Sequence, residues 1–240
     1  MAGSQYIALS GMRTRLDQLD RLAADIANVG TAGYKTERAA DAEAGRPQFS
    51  NVLQSAIDVT SGDRRLDVTP GTLATTGRDL DMAIEGAGFF VVDTPAGPRY
   101  TRNGHFSRGA DGTLVTDDGS AVQGTNGPLK IGQGEVSVEQ DGTVKVGGAP
   151  AGRLKVVTFD NPSVLVPESG AKLRADNLTP TDVKAPSVRG GSLEQSNVSL
   201  VSRVAELTGV TRSFEALQKA LSLMMNDIDG RAIDQLGRIR

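Results

Sequence analysis

The sequence predicts an α+β protein that is mainly β, with a long amphipathic helix at each end and an antiparallel β module between them. Apolar residues recur every three or four positions near both termini, which is the spacing of one helix face. The middle of the chain instead contains short apolar runs separated by Asn-Gly and Asp-Gly pairs, which are typical of hairpin turns. We expect the two terminal helices to form one discontinuous coiled-coil domain.

The composition excludes several classes of protein. The 240 residues suffice for one large domain or two small ones. A net charge of −3 without a basic block gives little support for a nucleic-acid partner. The absence of Cys excludes disulfides and thiolate zinc sites. We expect no membrane insertion, because no apolar run approaches the roughly 18 residues that a spanning helix needs, and no cleaved signal peptide, because the first residues lack its basic and apolar regions.

The first helix is predicted over roughly residues 4–29, within an N-terminal segment 1–35 of the helical domain. Ser4 suits its N-cap, and Gly30 and Gly33 suit its end. Alternating steps of three and four are the a/d pattern of a coiled-coil seam. The positions of this seam are Leu9, Met12, Leu16, Leu19, Ala23 and Ile26. An isolated helix of this length is marginal in water, so we expect the seam to require a partner.

Residues 36–79 are polar and interrupted by Gly and Pro, so we predict an extended linker. Residues 80–190 are predicted to be the central β-rich domain. Apolar and acidic residues alternate over Leu80–Glu85, as in a half-buried strand, and Phe89–Val92 begins another strand.

Two segments of this domain resemble each other. Asp111–Val115 and Asp141–Lys145 share an Asp-Gly-Thr start, and we predict that each is a hairpin tip leading into a strand. Asp117-Asp118-Gly119 is predicted to be a further hairpin turn, because it lacks the alternating acids and final Glu of a calcium loop.

The segment 191–240 is predicted to contain the C-terminal helix, beginning near Asn197 or Ser199. Its seam repeats the spacing of the first helix, at Leu200, Val204, Leu207, Thr211, Phe214, Leu221, Met225 and Ile228. A stripe this narrow fits a helix better than a sheet. Leu22, Val210 and Leu217 lie beside the stripes, and we expect them to remain available for neighbouring molecules.

The sequence offers little for catalysis, and we predict no catalytic, cofactor-binding or metal-binding residues and no cofactor. His105 is the only histidine, and there is no Cys to share a zinc site with it. Gly86-Ala87-Gly88 lacks the third glycine and the following helix of a dinucleotide loop. One enzymatic alternative stays open, in which Asp81 and Glu85, on one face of a strand, act as a carboxylate pair on a glycan.

Four stretches resemble the axial proteins of the bacterial flagellum, the rod and hook family. They are Ala27–Lys35 (A-N-V-G-T-A-G-Y-K), Leu80–Val92 (L-D-M-A-I-E-G-A-G-F-F-V-V), Tyr100–Ser107 (Y-T-R-N-G-H-F-S) and the helix start at Ser196–Val198. The residues that match the family motifs are Asn28, Thr31, Gly33, Tyr34, Lys35, Asp81, Gly86, Gly88, Phe89, Arg102, Gly104, Asn197, Arg212 and Glu215.

This resemblance implies a structural subunit of the flagellar basal-body rod, without enzymatic activity. Family members are exported unfolded by the flagellar type III export apparatus and stack helically in the periplasm with copies of themselves and with other rod proteins. Their terminal helices form the inner tube, and the rod transmits torque. The length and the single central β module fit the proximal rod best. A distal-rod or hook-family protein is the near alternative, and a β-rich cell-surface adhesion module is the alternative from a different class.

Overall fold

A computed structural model of the chain describes residues 2–39 and 64–237. These residues form helices α1 (Ala2–Ala27) and α2 (Leu200–Gly237). The strands are β1 (Glu37–Ala39), β2 (Arg64–Leu66), β3 (Leu73–Thr75), β4 (Met82–Glu85), β5 (Phe89–Thr94), β6 (Gly97–Thr101), β7 (Ser107–Arg108), β8 (Leu114–Val115), β9 (Ala121–Gly124), β10 (Gly127–Pro128), β11 (Val136–Val138), β12 (Thr143–Val146), β13 (Ala149–Arg153), β14 (Val156–Thr158), β15 (Val166–Glu168), β16 (Lys172–Arg174), β17 (Thr181–Asp182), β18 (Ser187–Gly190) and β19 (Ser192–Glu194). The predicted mainly β, α+β class is confirmed.

The described chain forms two compact units. A helical unit contains α1 and α2, and a β unit contains residues 28–38 and 64–198. Strands β2 and β3 lie within the segment 36–79 that was predicted to be an extended linker, and β19 lies within the segment 191–240, before the predicted start of its helix. Residues 40–63 of that linker are outside the described residues. The β unit therefore takes short strands from both flanks of the predicted domain.

The largest sheet of the β unit has the strand order β15-β16-β6-β5-β9-β8-β7, with β10 added to β9 and β14 paired to both β5 and β17. Smaller sheets pair β1 with β2, β11 with β12 and β13, β4 with β18, and β3 with β19. The strand pairs are antiparallel, as predicted.

Strand β5 is buried on both faces, which explains its continuous apolar run. Successive side chains of a strand point to opposite faces. Phe90 and Val92 therefore join one apolar cluster, and Phe89 and Val91 join another. Phe90 packs edge-on against Phe106, with ring centroids 5.3 Å apart. The β unit is thus organised around this strand.

The two similar segments form the same local structure, which confirms the prediction for both. The Thr113 amide donates to Asp111 Oδ1 (3.1 Å), and the Thr143 amide donates to Asp141 Oδ1 (2.9 Å). In each case the threonine hydroxyl donates to the second carboxylate oxygen of the same aspartate. The Asp118-Gly119 turn connects β8 to β9 and is likewise a hairpin.

In the helical unit, α1 and α2 pack against each other beside the predicted seams. Asp25 forms an ion pair with Arg203 (3.0 Å), and Gln18 donates to Glu206 (3.2 Å). Leu22 lies on the helix face between Gln18 and Asp25 and is 3% exposed, while Val210 is 5% exposed. The expectation that Leu22 and Val210 remain available for neighbours was therefore wrong.

Among the described residues, no helix has the length and apolar character needed to cross a membrane.

Glycine is required at position 104 because two backbone segments touch there. A Cβ atom added to Gly104 would lie 1.6 Å from the Met82 carbonyl oxygen, and the Met82 amide donates to the Gly104 carbonyl (3.0 Å). We expect Gly104→Ala to lower the free energy of unfolding by about 1–3 kcal/mol or more, the usual cost of overpacking. Urea denaturation of the purified protein measures this change.

Gly30→Ala is the matched control, because an added Cβ at Gly30 would meet no atom within 4 Å. We expect this variant to stay within about 0.5 kcal/mol of the unsubstituted protein. Equal unfolding midpoints for the two variants would contradict the assigned close approach.

Candidate functional site

The two segments that join the β unit to the terminal helices lie side by side within that unit. The Gly33 amide donates to the Glu194 carbonyl (2.7 Å), and the Asn197 amide donates to the Tyr34 carbonyl (3.4 Å). The Asn197 side chain accepts from the Thr36 amide (3.0 Å) and donates to the carbonyl of Asp67 (2.9 Å). Asn197 therefore ties together three segments that are distant in sequence.

A cluster of three charged side chains, Lys35, Arg102 and Glu194, lies buried beside these segments. We call it the buried ionic junction. Lys35 Nζ donates to Glu194 Oε1 and to the carbonyl of Thr69 (2.9 Å). Arg102 Nη1 donates to Glu194 Oε2 (3.1 Å), and the Gly71 amide donates to Glu194 Oε1 (3.0 Å). One carboxylate thus accepts hydrogen bonds from three separate parts of the chain.

The junction holds two cations and one anion, so it has an excess positive charge. Backbone carbonyls offset part of this charge, since Arg102 donates to the carbonyls of Ile84 (3.3 Å) and Gly86 (2.6 Å). The Phe89 ring adds a cation–π contact, with the guanidinium carbon 5.4 Å from its centroid. Burial lowers the pKa of the Lys35 ammonium, and the hydrogen bond that Lys35 donates to Glu194 opposes that change.

Gly33 allows the N-terminal segment to approach the junction closely. Its φ is +69°, a region that favours glycine. An added Cβ would lie 2.2 Å from both the Arg102 carbonyl carbon and the Asn103 nitrogen. Just before it, Thr31 closes a turn by donating its amide and its hydroxyl to the carbonyl and side chain of Asn28 (3.0 and 3.1 Å). The N-terminal motif therefore forms a turn followed by a close backbone contact with the β unit.

The structure assigns different partners to the two carboxylates of the enzymatic alternative. Asp81 is buried and lies 2.8 Å from His105 Nδ1. Glu85 pairs with Arg189 (2.5 Å) and accepts from the Ser187 hydroxyl (3.1 Å). Each carboxylate therefore has its own set of neighbours, and Asp81 also lies 3.7 Å from Arg78. Within residues 2–39 and 64–237, no cluster of three or more His, Asp or Glu side chains is suited to a metal ion.

The predicted helix seams are only partly covered in the single chain. Leu16, Leu200 and Val204 are 47%, 45% and 46% exposed. The remaining described seam residues are intermediate in burial, namely Met12, Leu19, Ile26, Leu207 and Phe214, or exposed, namely Ala23 and Thr211. The side chains of Leu9, Leu221, Met225 and Ile228 lie outside the described part of the structure. Of the C-terminal motif, Arg212 and Glu215 are exposed on α2.

Sequence reasoning missed Glu194, which is the centre of the buried ionic junction. It lies in a polar stretch before the predicted start of the C-terminal helix, for which the sequence predicts no strand. The strand that contains it is too short to show a period. An indirect signal was present, because two motif cations, Lys35 and Arg102, require a counter-ion if they are buried.

We expect Glu194→Gln to destabilise the β unit strongly. The substitution leaves two buried cations without an anion, and breaking a buried pair in this way costs about 3–5 kcal/mol. Chemical denaturation monitored by circular dichroism measures the loss.

Glu168→Gln is the matched control, because Glu168 also pairs with two cations, Arg99 (2.7 Å) and Arg174 (3.3 Å), but is partly exposed to solvent. Its loss is expected to cost less than about 1 kcal/mol. Similar destabilisation by both substitutions would refute the special role of Glu194.

The chain resembles known proteins in sequence. Residues 83–146 match the family model of the flagellar hook protein FlgE/F/G D1 domain, and residues 189–234 match that of the flagellar basal body rod FlgEFG protein C-terminal region. The chain is 32% identical to the basal-body rod protein FlgF of Caulobacter vibrioides, with 100% of both chains covered. It is 32% identical to FlgF of Rhizobium meliloti, covering 98% of each chain. It is also 32% identical to FlgG of Bacillus subtilis, covering 92% of this chain and 95% of the relative. The chain belongs to the family of flagellar basal-body rod proteins and is a structural rod subunit of the FlgF type.

Proposed function

We propose that this subunit builds the proximal rod by pairing its helix seams with those of neighbouring subunits, and that it has no catalytic activity. In this proposal the chain is exported by the flagellar type III apparatus. It assembles in the periplasm with copies of itself and with other rod proteins. The resulting helical tube transmits torque from the motor to the hook.

The observation that carries this proposal is the exposed apolar stripe of the helical unit. α1 and α2 contact each other, with polar pairs between Asp25 and Arg203 and between Gln18 and Glu206, while Leu22 and Val210 are buried. Leu16 on α1 and Leu200 and Val204 on α2 are left nearly half exposed. Burying a fully exposed side chain of this size contributes about 1.5–3 kcal/mol, so burying the exposed half of each contributes roughly half of that. The stripe therefore supports association with further helices after the internal pair has formed.

The symmetry of such contacts favours a rod. When one surface of a subunit binds a different surface of the next, and the rotation does not close, the subunits continue as a helix. Several seam contacts in each subunit would add to a stiff tube. The separate pairing of Asp81 and Glu85 supports a structural role for the β unit as well.

We expect Leu16→Asp combined with Val204→Asp to abolish incorporation into the basal body. Both residues are exposed in the single chain, so the isolated variant should retain its fold by circular dichroism. Assembly would bury the new carboxylates in an apolar interface, where an unpaired charge is strongly unfavourable. Motility of the strain and the composition of purified basal bodies measure the effect.

Ala205→Asp provides the control, since Ala205 is exposed on α2 away from the seam. This variant should assemble and support swimming. Normal incorporation of the double seam variant would show that these residues do not form the assembly interface.

A further inference from the structure

A cationic cavity of about 290 Å³ opens in the β unit, where β13 leads into β14 beside β17. Its lining includes three cationic side chains, Arg153, Lys155 and Lys184, and one carboxylate, Asp182. The lining thus has two positive charges in excess, although Asp141, outside the lining, interacts electrostatically with Arg153, in a chain that has 29 acidic and only 26 basic residues. Several other surface cations of the β unit are matched by acids, as Arg174 is by Glu168 and Asp176.

Arg153 is held in a fixed orientation at this cavity. Its Nε donates to the carbonyl of Asp141 (2.8 Å), and its Nη2 donates to the carbonyl of Lys184 (3.2 Å). Within the described residues, Nη1 has no acceptor. A guanidinium has five N–H donors in a rigid plane. Two donors therefore position the group, while others stay available for an oxyanion, at little further cost in side-chain entropy.

The positive charges of Lys155 and Lys184 are only weakly offset by acidic side chains of the same chain. Lys155 lies 3.4 Å from Asp182, but both side chains are substantially exposed, and exposed pairs of this kind contribute about 0–1 kcal/mol. Lys184 is exposed and has no acidic partner within the described part of the chain. Leu154, Val156 and Val183 line the same cavity and give it apolar walls, which strengthen the attraction of any anion that enters.

We propose that this cavity binds the carboxylate of an acidic side chain presented by a second copy of this chain. The inference rests on the proposed function, because a self-assembling rod presents acidic surfaces of neighbouring copies at high local concentration. The chain's surplus of acidic residues supplies suitable ligands. The weak Lys155–Asp182 pair already places a carboxylate against one of the cavity's cations, and displacing it would cost little.

Zero-length cross-linking tests this contact in the assembled full-length protein. A carbodiimide joins a lysine amine to a touching carboxylate as an amide, with loss of water. Mixing isotope-labelled and unlabelled copies lets mass spectrometry separate amides between copies from those within one copy. We expect amides between copies at Lys155 or Lys184 but not at Lys130, an exposed lysine outside the cavity. Amides only within one copy, such as Lys155–Asp182, would overturn the proposal.

Charge removal provides a second measurement. We expect Arg153→Gln with Lys184→Gln to weaken association between copies by about tenfold and to reduce its salt dependence, as loss of a partly desolvated charge contact does. Lys130→Gln should change neither. If the double variant assembles with unchanged affinity and salt dependence, the cavity contact is refuted while the seam-based assembly stands. If the unsubstituted protein does not assemble, the proposed function itself fails.

A small anion is the competing ligand. Inorganic phosphate is titrated into dilute monomer at constant ionic strength and followed by nuclear magnetic resonance. Saturable binding that depends on Arg153, without amides between copies, would identify a free-anion site and overturn the proposal. Phosphate that competes away the cross-links to Lys155 or Lys184 supports it.

Discussion

The hydrogen-bonded carboxylate of Glu194 is the constraint on which the β unit depends. It accepts from Lys35, Arg102 and the Gly71 amide, three groups from remote parts of the chain. A buried carboxylate is tolerable only when such donors surround it. The requirement is reciprocal, because Lys35 and Arg102 would be buried cations without it. Segments 28–38 and 64–71 and the strand before α2 must therefore reach their places together, which makes closure of the unit cooperative.

Position along the chain gives this junction its significance. Lys35 follows α1 by a few residues, and Glu194 precedes α2 by a few residues. Asn197 reinforces the same arrangement through its bonds to the Thr36 amide and the Asp67 carbonyl. The β unit therefore fixes the end of the segment that leaves α1 next to the start of the segment that enters α2. Two helices separated by more than 170 residues of sequence are thereby brought within reach of each other.

Local patterns in the sequence were sufficient for much of the fold. The Asp-Gly-Thr tips and strand β5 were predictable, because each depends on its own residues. Strands such as β2, β3 and β19 were not, since three residues are too few to show a period and their pairing partners are remote. The junction was recognised only in part, because Lys35 and Arg102 stand in family motifs while Glu194 stands in an ordinary polar stretch. Leu22 and Val210 were misjudged because the seam spacing does not reveal which flank of a helix meets its neighbour.

Both units leave some large apolar side chains exposed, Val164 of the β unit among them, but in the helical unit the exposed side chains include seam positions. The β unit buries two apolar clusters and places cations beside Asp81, Glu85 and Glu194. In the helical unit, α1 and α2 are joined by the Asp25–Arg203 and Gln18–Glu206 pairs. Leu16, Leu200 and Val204 remain nearly half exposed. Apolar side chains exposed along one stripe favour association with further helices. The β unit has a surface of a different kind, the cavity beside β14, whose lining contains more cationic than acidic side chains. In the proposed assembly, burial of apolar side chains would supply affinity, and charge contacts would supply specificity and a defined register.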